Sequence, residues 1–470
     1  MLPWLREGFH NPSASYGGAK EARRAIGEAR EKVAALVGAD PDEIVFTGGG
    51  TESTNMALKW LARLVGRKTG KVVTSAIEHS SVLRPIETFA DVGYPVARAG
   101  VDGGGRLRME EFQAACEAAR EGGGFTSVMW ANNETGVIQP VAEACAIAKE
   151  CGLAFHTDAI QAVGKIPVNV RELPVDFLSL SAHKFHGPKG VGVLYIRSGC
   201  RFEPMVRGGG QEQDRRSGTE NTAGIVGLGK AAELALARLA AKEHPGAVRA
   251  AFEAKVVGEV EGVTVNGDLL HRLPGTSHLS FGGCEAAGLL ILLDDLGVAC
   301  SAGSACMTGK QQPSHVQKAM GFSDAKAKSS LRFGFSCLTT MDEALAAAEA
   351  VKKAVEKLRR VQGGSTGPVV VYSAYHGCVG PTDLGDARLA PGEDAVAGGG
   401  NERNLLRQMN PLPGEKLRSG KVACRFVDDQ HDGAMPGIEK VAGNGSVRSP
   451  LKNNIRNNIH CRPGPARLVL

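Results

Sequence analysis

In the stretch "SLSAHKFHGPKG", residues 179–190, Lys184 follows His183 at the end of an apolar run and just before a glycine–proline turn. Desolvating an ammonium costs free energy, but an amine in a confined, partly apolar site is uncharged part of the time and nucleophilic, which suits Schiff-base chemistry. Asp158 in "HTDAIQ" offers a carboxylate of the kind that pairs with a protonated pyridine nitrogen. "TGGGTEST", residues 47–54, places flexible backbone and hydroxyls ahead of a helix, a common cradle for phosphate. Taken singly, an Asp or Asn at a strand end more often caps the next helix. Together these residues are harder to dismiss. A second reactive candidate is Cys306 in "CSAGSACMTGKQQPSH", residues 300–315. It sits among Ser, Ala, Gly, Thr, Lys and Gln, a poor setting for a core residue and a good one for a nucleophile that must travel. Cys300, six positions earlier after "LGVA", is assigned to packing.

These residues need elements to hold them. From about 20 to 200 two periodicities alternate. "AKEARRAIGEAREKVAALVGA" reads as an amphipathic helix, and "IVFTGGG", "KVVTSAI", "SVMWANNE", "LAFHTDA", "FLSLSAHK" and "GVGVLYI" read as short strands. Strand and helix in alternation imply a mainly parallel sheet covered by helices, with ligands bound beyond the carboxyl ends of its strands. The polar residues closing these runs are Thr51, Glu52, His79, Asn132, Asn133, Asp158, His183 and Lys184. After about residue 235 longer helices and a second set of strands predominate. "TTMDEALAAAEAVKKAVEKLRRV" has a capping box from Thr340 to Glu343 and an apolar face of Leu345, Ala348, Val351, Val355 and Leu358. The expected division is a large α/β domain over 1–235, a smaller α+β domain over 236–361, and a tail over 362–470. The tail is glycine- and asparagine-rich without sustained period, and is expected to be disordered or foreign to the fold.

At 43% hydrophobic and 22% charged residues the chain has the composition of a globular protein. The net charge of +5 is small for 470 residues and its basic residues are scattered, which argues against nucleic acid as a partner. With no run of 18 uncharged apolar residues and no signal-peptide layout in "MLPWLREGFH", no membrane association is expected and the expected compartment is the cytoplasm. Eleven cysteines without a CxxC pair or zinc-type spacing suggest neither a disulfide framework nor a metal site.

The stretches "NPSASY", "FTGGGTESTN", "IEHSSV", "NNETGVIQP", "HTDAIQAVGK", "SLSAHKFHGPKG", "RRSGTEN", "SAGSACMTG" and "SSLRFGFS" resemble, in order and spacing, those of the NifS/IscS-type cysteine desulfurases. These are pyridoxal phosphate enzymes of the class V aminotransferase group, with the fold type I architecture, and the resemblance spans residue 1 to about 360. It implies that Lys184 links covalently to pyridoxal 5'-phosphate, that Asp158 pairs with its ring nitrogen, and that Gln161 bonds its phenolic oxygen. His79 stacks on the ring and belongs to the catalytic groups. Gly50, Thr51, Ser181 and His183 match phosphate ligands, and Thr219 matches one donated across a homodimer interface. Asn133 and Arg332 match the residues that hold the substrate carboxylate. Cys306 matches the cysteine that takes sulfur from L-cysteine as a persulfide, for delivery to a sulfur acceptor or iron–sulfur scaffold protein.

The chain departs from the family in two ways. A short segment ahead of the equivalent of "MLPWLREGF" is missing, so an N-terminal truncation is expected, and the tail after Val361 resembles no sulfur carrier or scaffold. Selenocysteine lyase uses the same cofactor site and a related cysteine, and remains an alternative, as do another class V aminotransferase-type enzyme and an inactive homologue that only binds partners. The cysteine in "SAGSAC" argues against a plain aminotransferase.

Overall fold

Seven short strands build the central sheet: β1 Ile44–Thr47, β2 Lys71–Ser75, β3 Val96–Ala99, β4 Gly124–Ser127, β5 Ala154–Asp158, β6 Phe177–Ser181 and β7 Gly192–Ile196. In this computed structural model, which describes residues 1–66, 70–303, 313–363 and 468–469, they lie in the order β1-β7-β6-β5-β4-β2-β3. Strands β2 to β6 pair in parallel, and β7 runs antiparallel to both β1 and β6. The mainly parallel α/β sheet expected from the alternating pattern is therefore present.

Side-chain alternation divides each strand between two apolar layers. Ile44, Phe46, Leu178, Leu180, Val193 and Tyr195 join the helices Gly17–Val37, Val141–Glu150 and Thr222–Ala240 in one core. Val45, Phe177, Leu194 and Ile196 face the helices Gly50–Val65 and Ser80–Asp91 on the other side. A sheet buried on both faces needs near-continuous apolar strands, which is what "IVFT" and "GVLYI" supply. The helix Gly17–Val37 buries Ala22, Ile26, Ala29, Val33 and Leu36 and stops at Gly38, a left-handed C-cap at φ +71°.

Two strands differ from expectation. The run "SVMWANNE" contributes only Ser127 to β4, which starts earlier at Gly124. Beyond it Val128 N and Trp130 N still bond to the His156 and Asp158 carbonyls, so the chain follows β5 before Asn132 Oδ1 accepts from Glu134 N and turns it away. Strand β3, "VARA", is a partly exposed edge and carries too little apolar pattern to announce itself.

A second sheet, ordered β11-β9-β8, is antiparallel and uses β8 Val263–Val265, β9 Thr276–Phe281 and β11 Ser330–Gly334. Its core gathers Phe252, Phe281, Phe333, Leu289, Val351 and Val355. The last of these come from the helix Met341–Gly363. Its start is the expected capping box: Glu343 N donates to Thr340 Oγ1 at 3.2 Å, and Thr340 N to Glu343 Oε2 at 2.8 Å. The expected boundary at 235/236 falls inside the helix Thr222–Ala240, whose buried face packs on the large sheet's core. Strand β10, Val298–Ala299, pairs in parallel with β12, Leu468–Val469. Residues 364–467, most of the expected tail, lie outside the described residues. Among the described residues no helix is long and apolar enough to cross a membrane.

Candidate active site

Strands β5 and β6 are neighbours in register, with Asp158 opposite Ser179. Their carboxyl ends bring Asp158 close to the single 3₁₀ turn Ala182–Lys184 that follows Ser181. The turn leaves His183 exposed and Lys184 half-buried. Asp158 is 4% exposed, and its Oδ1 accepts from Ile160 N at 3.0 Å. Burial pushes its carboxyl up to about 6, opposed by the Ile160 bond and the positive charge of Lys184. His79 and His183 are each held below the usual imidazole range, first by desolvation and then by Lys184. Lys184 is thus the charge common to the aspartate and both histidines.

His79 caps the helix Ser80–Asp91: its Nδ1 accepts from Ser81 N at 3.1 Å and lies 2.8 Å from Ser81 Oγ. With Nδ1 accepting from the backbone, the neutral ring carries its proton on Nε2.

Gly50 and Thr51 open the helix Gly50–Val65, Gly50 buried and Thr51 exposed. Gly49 has φ +149°, a conformation that side chains rarely adopt. A Cβ on Gly50 would stand 2.2 Å from Ile160 Cδ1 and 3.4 Å from Ser181 Cβ. The loop therefore reaches the segment after Asp158 and the end of β6 only because it is glycine. Ser181 Oγ lies 2.9 Å from His183 Nδ1. Hydroxyls, an imidazole and a helix N-terminus so gathered suit an anionic group.

From the second sheet, Arg332 on β11 reaches this region: its Nη1 donates to the Asn133 carbonyl at 2.6 Å. The bond is to the Asn133 backbone, not to its side-chain amide. Burial lowers the Arg332 guanidinium, and Glu134 and Cys300 act in the opposite direction. Gln161, in the turn after β5, accepts at Oε1 from Lys165 Nζ at 2.6 Å. Thr219 is exposed, next to Gly218 at φ +110°.

Cys306 lies outside the described residues, which omit 304–312. The positions on either side of that gap sit at one carboxylate. Ser314 Oγ donates to Glu134 Oε2 at 2.6 Å, and a Cβ on Gly303 would be 3.7 Å from the same oxygen. Cys300 is half-buried against the core of the second sheet, and burial pushes its thiol up to about 12, which fits packing and not nucleophilic attack.

Sequence reasoning missed several residues here. Glu78 is fully buried behind His79. Its Oε1 accepts from Ser75 Oγ at 2.5 Å and from Met129 N at 2.9 Å, its Oε2 has no partner, and His315 Nε2 lies 2.9 Å from its backbone carbonyl. Burial pushes the Glu78 carboxyl up to about 8. Glu134 is likewise buried and raised, chiefly by desolvation. A signal was present only for Lys165, four positions after Gln161 in "HTDAIQAVGK".

Glu78 gives a stability prediction. With its folded pKa raised to about 8 from 4.5, the native state binds more protons than the unfolded chain between those values. Stability from this group is therefore lost as pH rises through that window, on the order of a few kcal/mol in total. Glu78→Gln cannot ionise, and its amide oxygen keeps both acceptor positions. Melting temperatures of the two proteins should agree near pH 5 and diverge by pH 9 in favour of the Gln variant; parallel curves would contradict the buried acid.

Comparison with known proteins gives the same picture. The family model described as Aminotransferase class-V matches residues 3–346. The chain is 43% identical over 362 residues to Cysteine desulfurase IscS of Dictyoglomus turgidum, covering 77% of this chain and 91% of that protein. It is 42% identical over 377 residues to Cysteine desulfurase NifS of Azotobacter vinelandii, covering 78% and 92%. Among solved structures, a NifS-like protein superposes with TM-score 0.68 at 34% identity, covering 77% of this chain and 94% of the other. SspA in complex with cysteine gives TM-score 0.63 at 33% identity, covering 72% and 94%. The NifS/IscS-type resemblance and the α/β architecture read from the sequence both hold. Matched from residue 3 to residue 346, with its aspartate and lysine at the carboxyl ends of adjacent strands, this chain belongs to the class-V aminotransferase family.

Proposed function

We propose that the chain is a cysteine desulfurase: it converts L-cysteine to L-alanine, passing the sulfur to Cys306 as a persulfide and then to an acceptor such as an iron–sulfur scaffold protein. The observation that supports this most is the meeting of Asp158 and the turn carrying Lys184 at the carboxyl ends of the adjacent strands β5 and β6, with His79, after β2, under the charge of the same lysine.

Pyridoxal 5'-phosphate suits the residues present. A protonated ring nitrogen beside Asp158 would offset the desolvation that raises its carboxyl. The side-chain-free approach of Gly49 and Gly50 leaves helix amides to meet a phosphate. Lys184 would hold the group covalently, Gln161 its phenolic oxygen and His79 its ring face. Gly50, Thr51, Ser181 and His183 would hold the phosphate, joined by Thr219 of a neighbouring subunit. The exposure of Thr219 supports that last assignment and with it a homodimer, which light scattering on the holoenzyme checks.

When bound, the cofactor supplies an electron sink for the carbanion at the substrate Cα. The rest falls to the chain's own residues. Arg332 and Asn133 bind the substrate carboxylate, the guanidinium by charge-assisted donation. Once the substrate amine has displaced it, the Lys184 amine takes the Cα proton. Cys306 Sγ, as thiolate, attacks the substrate sulfur: the S–S bond forms as the substrate Cβ–S bond breaks, Cβ takes a proton, and the Lys184 ammonium returns one to Cα to give L-alanine. The segment that follows the helix Thr222–Ala240, up to residue 361, serves as the smaller domain that carries this cysteine, and the cytoplasm is the proposed setting.

The function is tested by supplying L-cysteine, pyridoxal phosphate and a reductant: equal amounts of alanine and sulfide are expected, and pyruvate in place of alanine would overturn the reading. Asp158→Asn tests the site. Losing a charge-assisted bond worth about 1.5–3 kcal/mol should cut turnover roughly ten- to hundred-fold. The cofactor-free Asn variant should melt no lower than the parent, because the buried carboxylate is itself costly there. Turnover within two-fold of the parent's would remove Asp158 from the mechanism.

A further inference from the structure

Lys165 stands in the turn after β5 with its Nζ donating to Gln161 Oε1 at 2.6 Å. An ammonium has three donors and no acceptor, whereas a primary amide has an oxygen that only accepts and a nitrogen that only donates. The contact thus decides which end of the Gln161 amide faces Lys165 and turns the donor end, Nε2, away from it. We propose that Lys165 is a positioning residue, which fixes Gln161 so that its amide nitrogen, not its oxygen, meets the phenolic oxygen of the bound cofactor. This rests on the reading of the site as one for pyridoxal phosphate.

Two further observations support it. The preceding residue, Gly164, has φ +77°, and a Cβ there would lie 2.6 Å from Phe185 Cβ. The backbone that carries Lys165 is therefore packed directly against the residue after Lys184. Desolvation, and after it the positive charges of Lys184 and Arg332, depress the Lys165 amine to about 7. Asp158 and Glu134 offset the charges of Lys184 and Arg332; an anionic ligand arriving among these groups favours the charged, donor-only form of Lys165. Were the amide reversed, its oxygen would oppose the oxygen of the ligand, two acceptors with no proton between them.

The test is equilibrium binding to the cofactor-free protein, using pyridoxal phosphate and an analogue that lacks only the phenolic oxygen. Wild type should bind pyridoxal phosphate more tightly than the analogue. Lys165→Met should weaken pyridoxal phosphate about ten-fold and change the analogue less than two-fold, because only the first ligand uses the oriented amide. Lys165→Arg, whose head is also donor-only, should recover most of the loss. Should the Met variant fail to fold, Lys165→Gln is read in the same way, since its amide can meet Gln161 in either orientation. Equal weakening of both ligands, or of neither, in a wild-type background that still discriminates between them would overturn the role of Lys165 alone. Failure of the wild type to prefer the phenolic ligand would instead overturn the reading of the site on which the inference rests.

Discussion

Lys184→Ala is expected to abolish turnover of L-cysteine and to leave the protein without a cofactor that borohydride can fix to it. Only a primary amine makes that link, so Lys184→Arg should fail as completely, although it restores the charge. The loss has an electrostatic side too. Lys184 lowers the Asp158 carboxyl against the effect of burial, so in the Ala variant Asp158 should titrate higher still and be less able to hold a ring nitrogen protonated. Mass spectrometry after borohydride reduction checks the link, and alanine release checks turnover. A reduced adduct persisting in the Ala variant would move the anchor to another amine, with Lys165 and Lys189 the first to examine.

Cys306→Ser should have an effect as large on alanine formation and almost none on what precedes it. Neither cofactor binding nor entry of L-cysteine uses the thiol, so the absorbance change on adding substrate should survive. A serine hydroxyl ionises far less readily than a thiol and cannot carry sulfur as a persulfide, so the block falls after the α-proton has left. Exchange of that proton with deuterated solvent should therefore continue in the Ser variant while alanine release drops to background. Alanine production at a rate near the parent's would mean that another group accepts the sulfur.

The parts of this site that the sequence made legible share one physical cause. Lys184, Asp158 and the glycines at 48–50 each end or follow an apolar strand run, and in a parallel sheet the carboxyl ends of the strands form one edge. Their convergence follows from strand pairing alone. The missed acids have no such local mark. Glu134 meets Ser314 and Glu78 meets His315 across long separations in sequence, at the start of the helix His315–Ala319. Fold details were lost for a related reason. The antiparallel course of β7 is set by its pairing with β1 and β6, which composition does not encode, and β3 is an edge strand in which only Ala99 is buried. Lys165 is the instructive case. Its position four residues after Gln161 was visible, but the turn that brings the two side chains together was not.

The central claim is that sulfur leaves L-cysteine for Cys306, and mass spectrometry of the wild-type holoenzyme after brief exposure to L-cysteine tests it most directly. The expected result is one added sulfur on the peptide carrying Cys306, removable by a thiol reductant, with none on Cys300, whose thiol burial pushes up to about 12. Added sulfur on Cys300 alone, or on no cysteine with pyruvate as the product, would contradict it.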